Sequence, residues 1–151
     1  ISRSFELAQF KTGAARIAHA AGAPLVPCVI WGSQRIWTKD LPKRFRNVPV
    51  IIRYGNPITI SGDAERDTEA LKHEMQLLLD ASRDQYTALT HPPAGASWMP
   101  ASLGGSAPTL AEADEIYRRE REARAAKKEA RAAKKEAKRQ RCARLRAKGR
   151  G

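Results

Sequence analysis

A mixed α/β fold is predicted by three observations. Apolar residues recur at helical spacing near the N-terminus, two short β-branched runs follow, and a long amphipathic stretch closes the series near residue 89. Helix, strand, strand, helix is the signature of an α/β layer. Two or three strands are few for an independent core. The expected architecture is therefore the C-terminal half of a larger α/β domain, followed by a linker and a solitary basic helix.

The first segment, Ile1 to Leu7, is polar and without pattern. Phe10, Ala14, Ile17, Ala18 and Ala21 then predict a helix over 10–21, with Gly22 placed as its C-terminal cap. Leu25 to Trp31 has the length and composition of a strand, and Pro27 inside it predicts an edge, a bulge or an irregular ladder. Trp31, Gly32 and Ser33 read as a loop. From Gln34 to Asn47 the chain is rich in Lys and Arg, interleaved with Ile36, Trp37, Leu41 and Phe45.

Val48 to Tyr54 predicts a second strand, Gly55-Asn56-Pro57 a turn, and Ile58 to Ile60 a short third strand. Ser61, Gly62 and Asp63 supply capping chemistry for a helix over 64–89, whose apolar stripe is Leu71, Met75, Leu78 and Leu79. Residues 91–116, dominated at first by Pro, Gly, Ala and Ser, predict a linker or surface arm in which Trp98 and Met99 are apolar enough to dock. Thr109 and Glu112 form a capping pair for a strongly helix-forming C-terminal stretch. Residues 117–151 predict a basic helical tail, built on the repeat Glu122–Lys128 and Glu129–Lys135. No large apolar residue fills a seam of that heptad, so a coiled coil is excluded.

Charge is partitioned sharply. The chain carries 28 Lys and Arg against 16 Asp and Glu, and its whole excess of +12 lies in residues 118–151. Residues 1–117 are balanced, which argues against a uniformly basic nucleic-acid-binding domain. No apolar stretch reaches the roughly 18 residues of a membrane-spanning helix. Cys28 and Cys142 stand far apart, without the spacing of a zinc site or a disulfide framework.

The segment "ISRSFELAQFKTGAARIAHAAGAPLVPCVIWG" resembles the second half of the glycerophospholipid acyltransferase domain, the 1-acyl-sn-glycerol-3-phosphate acyltransferase family. Phe10, Lys11 and Gly13 match that family's Phe-Lys-x-Gly helix start. Pro24, Val26, Pro27 and Val29 match its Pro-x-x-Pro-Val strand, with Cys28 where Val is more usual. "WGSQRIWTKDLP" and "HPPAGASWMPASLGGSAPTLAEA" are similar to the actinobacterial type. The resemblance covers about residues 1–60, and more loosely the helix to Leu89.

The resemblance implies transfer of a fatty acyl group from acyl-CoA or acyl-carrier protein to lysophosphatidic acid, giving phosphatidic acid, with no cofactor beyond the acyl donor. It implies a general-base His in a His-x4-Asp block, with the Asp orienting the imidazole. That pair is not in this sequence: five positions after His19, His73 and His91 stand Pro24, Leu78 and Ala96. The expectation is a fragment whose upstream residues supply the catalytic pair and the rest of the sheet, and which alone binds without catalysing. Ile1 occupies the place of the family's phosphate-contacting Arg, so either Arg3 takes that role or the phosphate is held differently.

The candidate substrate-binding residues are Ser2, Arg3, Lys11 and Gly13. Lys11 near a helix start would place an ammonium beside free backbone N–H groups, a pairing suited to phosphate, though an isolated Lys there is more often only solvated. Gly13 would allow close approach of backbone or substrate. His19 reads as a surface residue, Cys28 as a small apolar residue of a buried strand, Cys142 as an incidental tail thiol, and Trp31 as core. Trp37, with Phe45 and Leu41, suits an interfacial lipid contact.

The expected partners are the lysophospholipid acceptor, the acyl thioester and, through the tail, an anionic membrane surface at the cytoplasmic face of the cell membrane. A nucleic-acid-binding protein acting through its basic helix is the alternative. A tail that merely solubilises is the plainest reading of such a charge run.

Overall fold

The computed structural model describes residues 2–39 and 41–148, with side chains as far as residue 136. The chain divides into two compact units, residues 1–110 and residues 111–151. In the first, helix α1 (Gly13–Ala21) leads to strand β1 (Cys28–Trp31), a single-turn helix α2 (Ser33–Ile36), strand β2 (Ile51–Tyr54) and the long helix α3 (Ala64–Thr90). A 3-10 turn at Ala101–Leu103 precedes helix α4 (Leu110–Lys148). The architecture is small and mixed α/β, with β1 and β2 paired antiparallel, Cys28 opposite Tyr54 and Trp31 opposite Ile51.

The elements are shorter than the sequence pattern suggests, and backbone chemistry explains each difference. Proline has no N–H to give to a ladder. Leu25 and Ile58 exchange backbone hydrogen bonds of 3.0 and 2.7 Å, but Pro27 separates that isolated bridge from β1. The expected third strand at 58–60 is therefore reduced to one bridge. Pro49 likewise delays β2 until Ile51. Helix α1 begins at Gly13, not Phe10, with Thr12 as an N-cap whose side chain makes no capping hydrogen bond. Gly22 closes it in the left-handed conformation, at φ 62°.

Helix α3 starts where Asp63 accepts hydrogen bonds from the backbone N–H groups of Glu65 and Arg66, a cap contributing about 1 kcal/mol. A second carboxylate ties the preceding turn to the helix. Asp67 accepts from the Ser61 hydroxyl at 2.7 Å and from the backbone N–H groups of Ser61 and Gly62. These donors, the Ser61 hydroxyl foremost, hold its carboxyl below the usual carboxylate range. A lowered folded-state value means that this stabilisation is complete above the unfolded pKa and is lost as pH falls through the folded one. Asp67→Asn should therefore lower the urea midpoint at pH 7, with the gap to the parent closing only below the usual carboxylate range. A gap that stays constant down to acid pH would show that the Asp67 charge has no part in it.

The core lies between the inner face of the hairpin, one stripe of α3, the N-terminal segment and the Pro/Gly-rich arm. Val29 and Trp31 from β1 meet Leu79 and Tyr86 from α3, with Met75, Leu78 and Ile51 at the margin. Phe5 joins this cluster from the N-terminal segment, and Ala96, Met99 and Ala107 join it from the Pro/Gly-rich arm. The segment read as a linker or surface arm over 91–116 is thus an arm folded against the rest of the first unit as far as Leu110, where α4 begins. The expected start of the tail at residue 117 falls inside that helix.

Arg83 fastens the N-terminal segment. Its guanidinium donates to the Phe5 carbonyl at 2.8 Å, pairs with Asp80 at 3.1 Å and lies 5.1 Å from the Trp31 ring centroid. The opposite face of the hairpin is uncovered: Ile30, Ile52 and Tyr54 are more than half exposed.

Candidate functional site

Of the four sequence-predicted binding residues, Ser2 alone lines a cleft among the described residues. Ser2 borders a cleft of about 230 Å³ between the N-terminal segment, the β1–α2 corner and α3. Arg3, Lys11 and Gly13 are not among its lining residues. The Ser2 hydroxyl lies 2.7 Å from that of Ser4, which is fully buried, so part of the expected donor set is spent within the chain. Arg3 is half-buried and engaged with other groups of the protein. The Ile1 position lies outside the described residues.

Lys11 is exposed immediately before α1. The first turn of that helix holds no acidic residue, and its N-cap side chain leaves the leading N–H groups uncapped. The helix start thus keeps its donors and its partial positive charge beside an ammonium. Gly13 has a conventional backbone, and a Cβ placed on it would meet no atom within 4 Å. Nothing in the fold requires glycine there.

The cleft is amphiphilic. Phe5, Trp31, Met75 and Leu79 form its apolar wall, while Ser33, Gln34 and Glu6 supply polar groups. Gln34 is 4 % exposed; its Oε1 accepts from the Gly32 N–H at 2.8 Å, and its Nε2 has no partner among the described residues. At about 230 Å³ the cleft falls short of the roughly 300–1,000 Å³ of ordinary small-molecule sites. Cys28 lines it half-buried, more open than a core strand position would be. A larger open groove of about 690 Å³ runs between the end of α3 and the arm, past Arg83, Asp84, His91 and Met99.

The residues that sequence reasoning missed are structural. Arg35 donates to the Tyr86 hydroxyl at 3.0 Å and stacks 4.5 Å from the Trp98 ring centroid; Tyr86 and Trp98 meet edge to face. This cluster docks the arm. Its signal was present in the α3 stripe, since Ser82, Arg83 and Tyr86 continue the spacing set by Met75 and Leu79.

His19 is exposed on α1, and Trp31 is core as expected. Leu41 turns inward and packs against the core, whereas Trp37 and Phe45 remain exposed. The Cys142 side chain lies outside the described residues. Comparison with known proteins returned no matching family model, no matching curated protein and no matching solved structure.

Proposed function

We propose that the chain is the acceptor-binding part of a phospholipid-biosynthesis acyltransferase of the 1-acylglycerol-3-phosphate type. The observation that carries this reading is the Phe10-Lys11-x-Gly13 block at the entry to α1. There the exposed Lys11 immediately precedes a helix whose N-cap side chain makes no capping hydrogen bond and whose first turn holds no acidic residue, an arrangement that favours a phosphate monoester. Arg3 and Ser2 are the further candidate donors. The uncovered outer face of the hairpin is a second support, because a larger sheet would bury Ile30, Ile52 and Tyr54.

In the reaction proposed, the acceptor hydroxyl attacks the thioester carbonyl of acyl-CoA or acyl-carrier protein. The hydroxyl proton passes to a histidine base, the ester bond forms as the carbon–sulfur bond breaks, and the leaving thiolate takes the proton back from the imidazolium to depart as a thiol. The His-x4-Asp pair that would do this is not among these 151 residues. The residues present would hold the phosphate and position the acceptor.

The 151-residue chain is expected to show no acyl transfer from acyl-CoA to lysophosphatidic acid, and the same chain joined to the sequence encoded upstream of Ile1 is expected to show it. In the active form, Lys11→Ala should raise KM for the acceptor by about tenfold, the weight of one charge-assisted hydrogen bond, and leave KM for the thioester unchanged. Transfer by the short chain, or inactivity of the extended one, would overturn the proposal. Unchanged acceptor KM in an active enzyme would move the phosphate from Lys11 to Arg3.

A further inference from the structure

The loop between α2 and β2 combines features that the acyl-transfer reading does not use. Trp37 is 60 % exposed and Phe45 is 73 % exposed, the latter the most exposed large apolar side chain of the described residues. The Arg44 N–H donates to the Ile36 carbonyl at 3.1 Å, closing a turn that holds Trp37 and Lys43, with Phe45 the residue after its closing donor.

The loop is held from its inner side. Thr38 is buried and its hydroxyl donates to the Gln34 carbonyl at 2.9 Å, while Leu41 packs against the core. With Leu41 committed inward, burial within the first unit has claimed the one large apolar residue it can reach, and the two aromatic rings stay in water.

Charge identifies what would cover them. Lys43, Arg44 and Arg46 are exposed beside the rings, and the Lys43 ammonium lies 4.3 Å from the Trp37 ring centroid. The sequence from Arg35 to Arg46 holds five cations and a single acid, Asp40, within a first unit that is otherwise balanced. Aromatic rings flanked by Lys and Arg suit the boundary of an anionic bilayer, where the rings enter the headgroup layer and the cations meet phosphates. The aliphatic neighbour Val50, 40 % exposed, extends the apolar surface along the chain. Hydrocarbon rewards it, whereas a stacked nucleobase would gain nothing from it.

We infer that the loop from Gln34 to Asn47 is a membrane-docking surface that seats Trp37 and Phe45 in the headgroup boundary of an anionic bilayer. It stands apart from the acyl-transfer reading, because partition into vesicles is measured without turnover. It is also distinct from the basic tail, whose repeat presents no apolar face to insert.

The test uses the full 151-residue chain with vesicles of phosphatidylglycerol and phosphatidylcholine. Trp37→Ala combined with Phe45→Ala should weaken partition at least about tenfold at physiological salt, where the electrostatic contribution of the tail is reduced. Both side chains are exposed, so an unchanged far-ultraviolet circular dichroism spectrum is expected.

A second readout locates the ring. Lipids brominated near the headgroup should quench the parent fluorescence more than that of Trp37→Phe, which retains Trp31 and Trp98. Equal partition of parent and double variant would overturn the inference. So would bound parent protein whose quenching matches that of Trp37→Phe, or single-stranded RNA that quenches Trp37 and displaces the protein from vesicles through this loop.

Discussion

Replacing Gly32 by alanine is expected to remove a large part of the stability of the first unit. Gly32 joins β1 to α2 at φ 99°, well outside the range that a residue with a Cβ adopts without strain. Space is the second difficulty. A Cβ there would collide with the carbonyl oxygen of Pro49 and stand 2.7 Å from Cε2 of Tyr86. Neither neighbour can yield easily, since one is backbone and the other is a fully buried ring held by Arg35 and Trp98. Strain and overpacking together should cost about 3–5 kcal/mol, against total stabilities of about 5–15 kcal/mol for ordinary domains.

The corresponding fall in Tm is on the order of 15 °C or more. Gly22→Ala is the matched control. Its φ of 62° is also positive, but a Cβ there meets nothing within 4 Å, so only the backbone cost of about 1 kcal/mol applies. Thermal unfolding followed by near-ultraviolet circular dichroism measures both. Equal losses in the two variants would mean that the close approach of Gly32 to Pro49 and Tyr86 costs nothing.

This junction also shows where the sequence was legible and where it was not. The long helix was readable to within a residue, because its stripe, its Asp63 cap and its length all agree. The Gly22 cap was readable for the same reason. Strand ends were not, since Pro27 and Pro49 act through ladder hydrogen bonds whose partners lie in another segment.

The Pro/Gly-rich arm was harder still. Its composition fits a linker as well as an arm; Trp98 and Met99 signalled docking, but the partners they meet are visible only in the tertiary contacts. The polar N-terminal segment joined the core through Phe5 and a buried arginine, a long-range pairing with no periodic signal. Of the candidate site, Lys11 at the entry to α1 was legible from the motif, but its separation from the Ser2 cleft was not, because distance between segments is a property of the packed chain.

Neutralising one face of the tail is expected to reduce binding to anionic vesicles by at least about a hundredfold at low ionic strength. The seven-residue repeat sets Arg124, Lys127, Lys128, Arg131, Lys134 and Lys135 three or four positions apart, so on α4 they form a single stripe. Glu122, Glu129 and Glu136 recur every seven residues and fall on the opposite side. All nine are exposed. The helix is therefore sided by charge and not by hydropathy: it can lie along a flat anionic surface with its acidic row turned away.

At about 1 kcal/mol for each cation near such a surface, engagement of even half of the stripe accounts for the hundredfold. Changing these six residues to Gln preserves helix-forming character and removes only charge. The loss should shrink as salt rises, because the Debye length falls from about 30 Å at 0.01 M to about 8 Å at 0.15 M. Exchanging the six cations with the three glutamates and three of the alanines of the repeat separates a sided helix from a generic polycation, since composition and net charge are then unchanged. Equal vesicle binding by the parent and the Gln variant would remove the tail from membrane attachment. Displacement from vesicles by RNA at equal phosphate concentration would assign the stripe to nucleic acid.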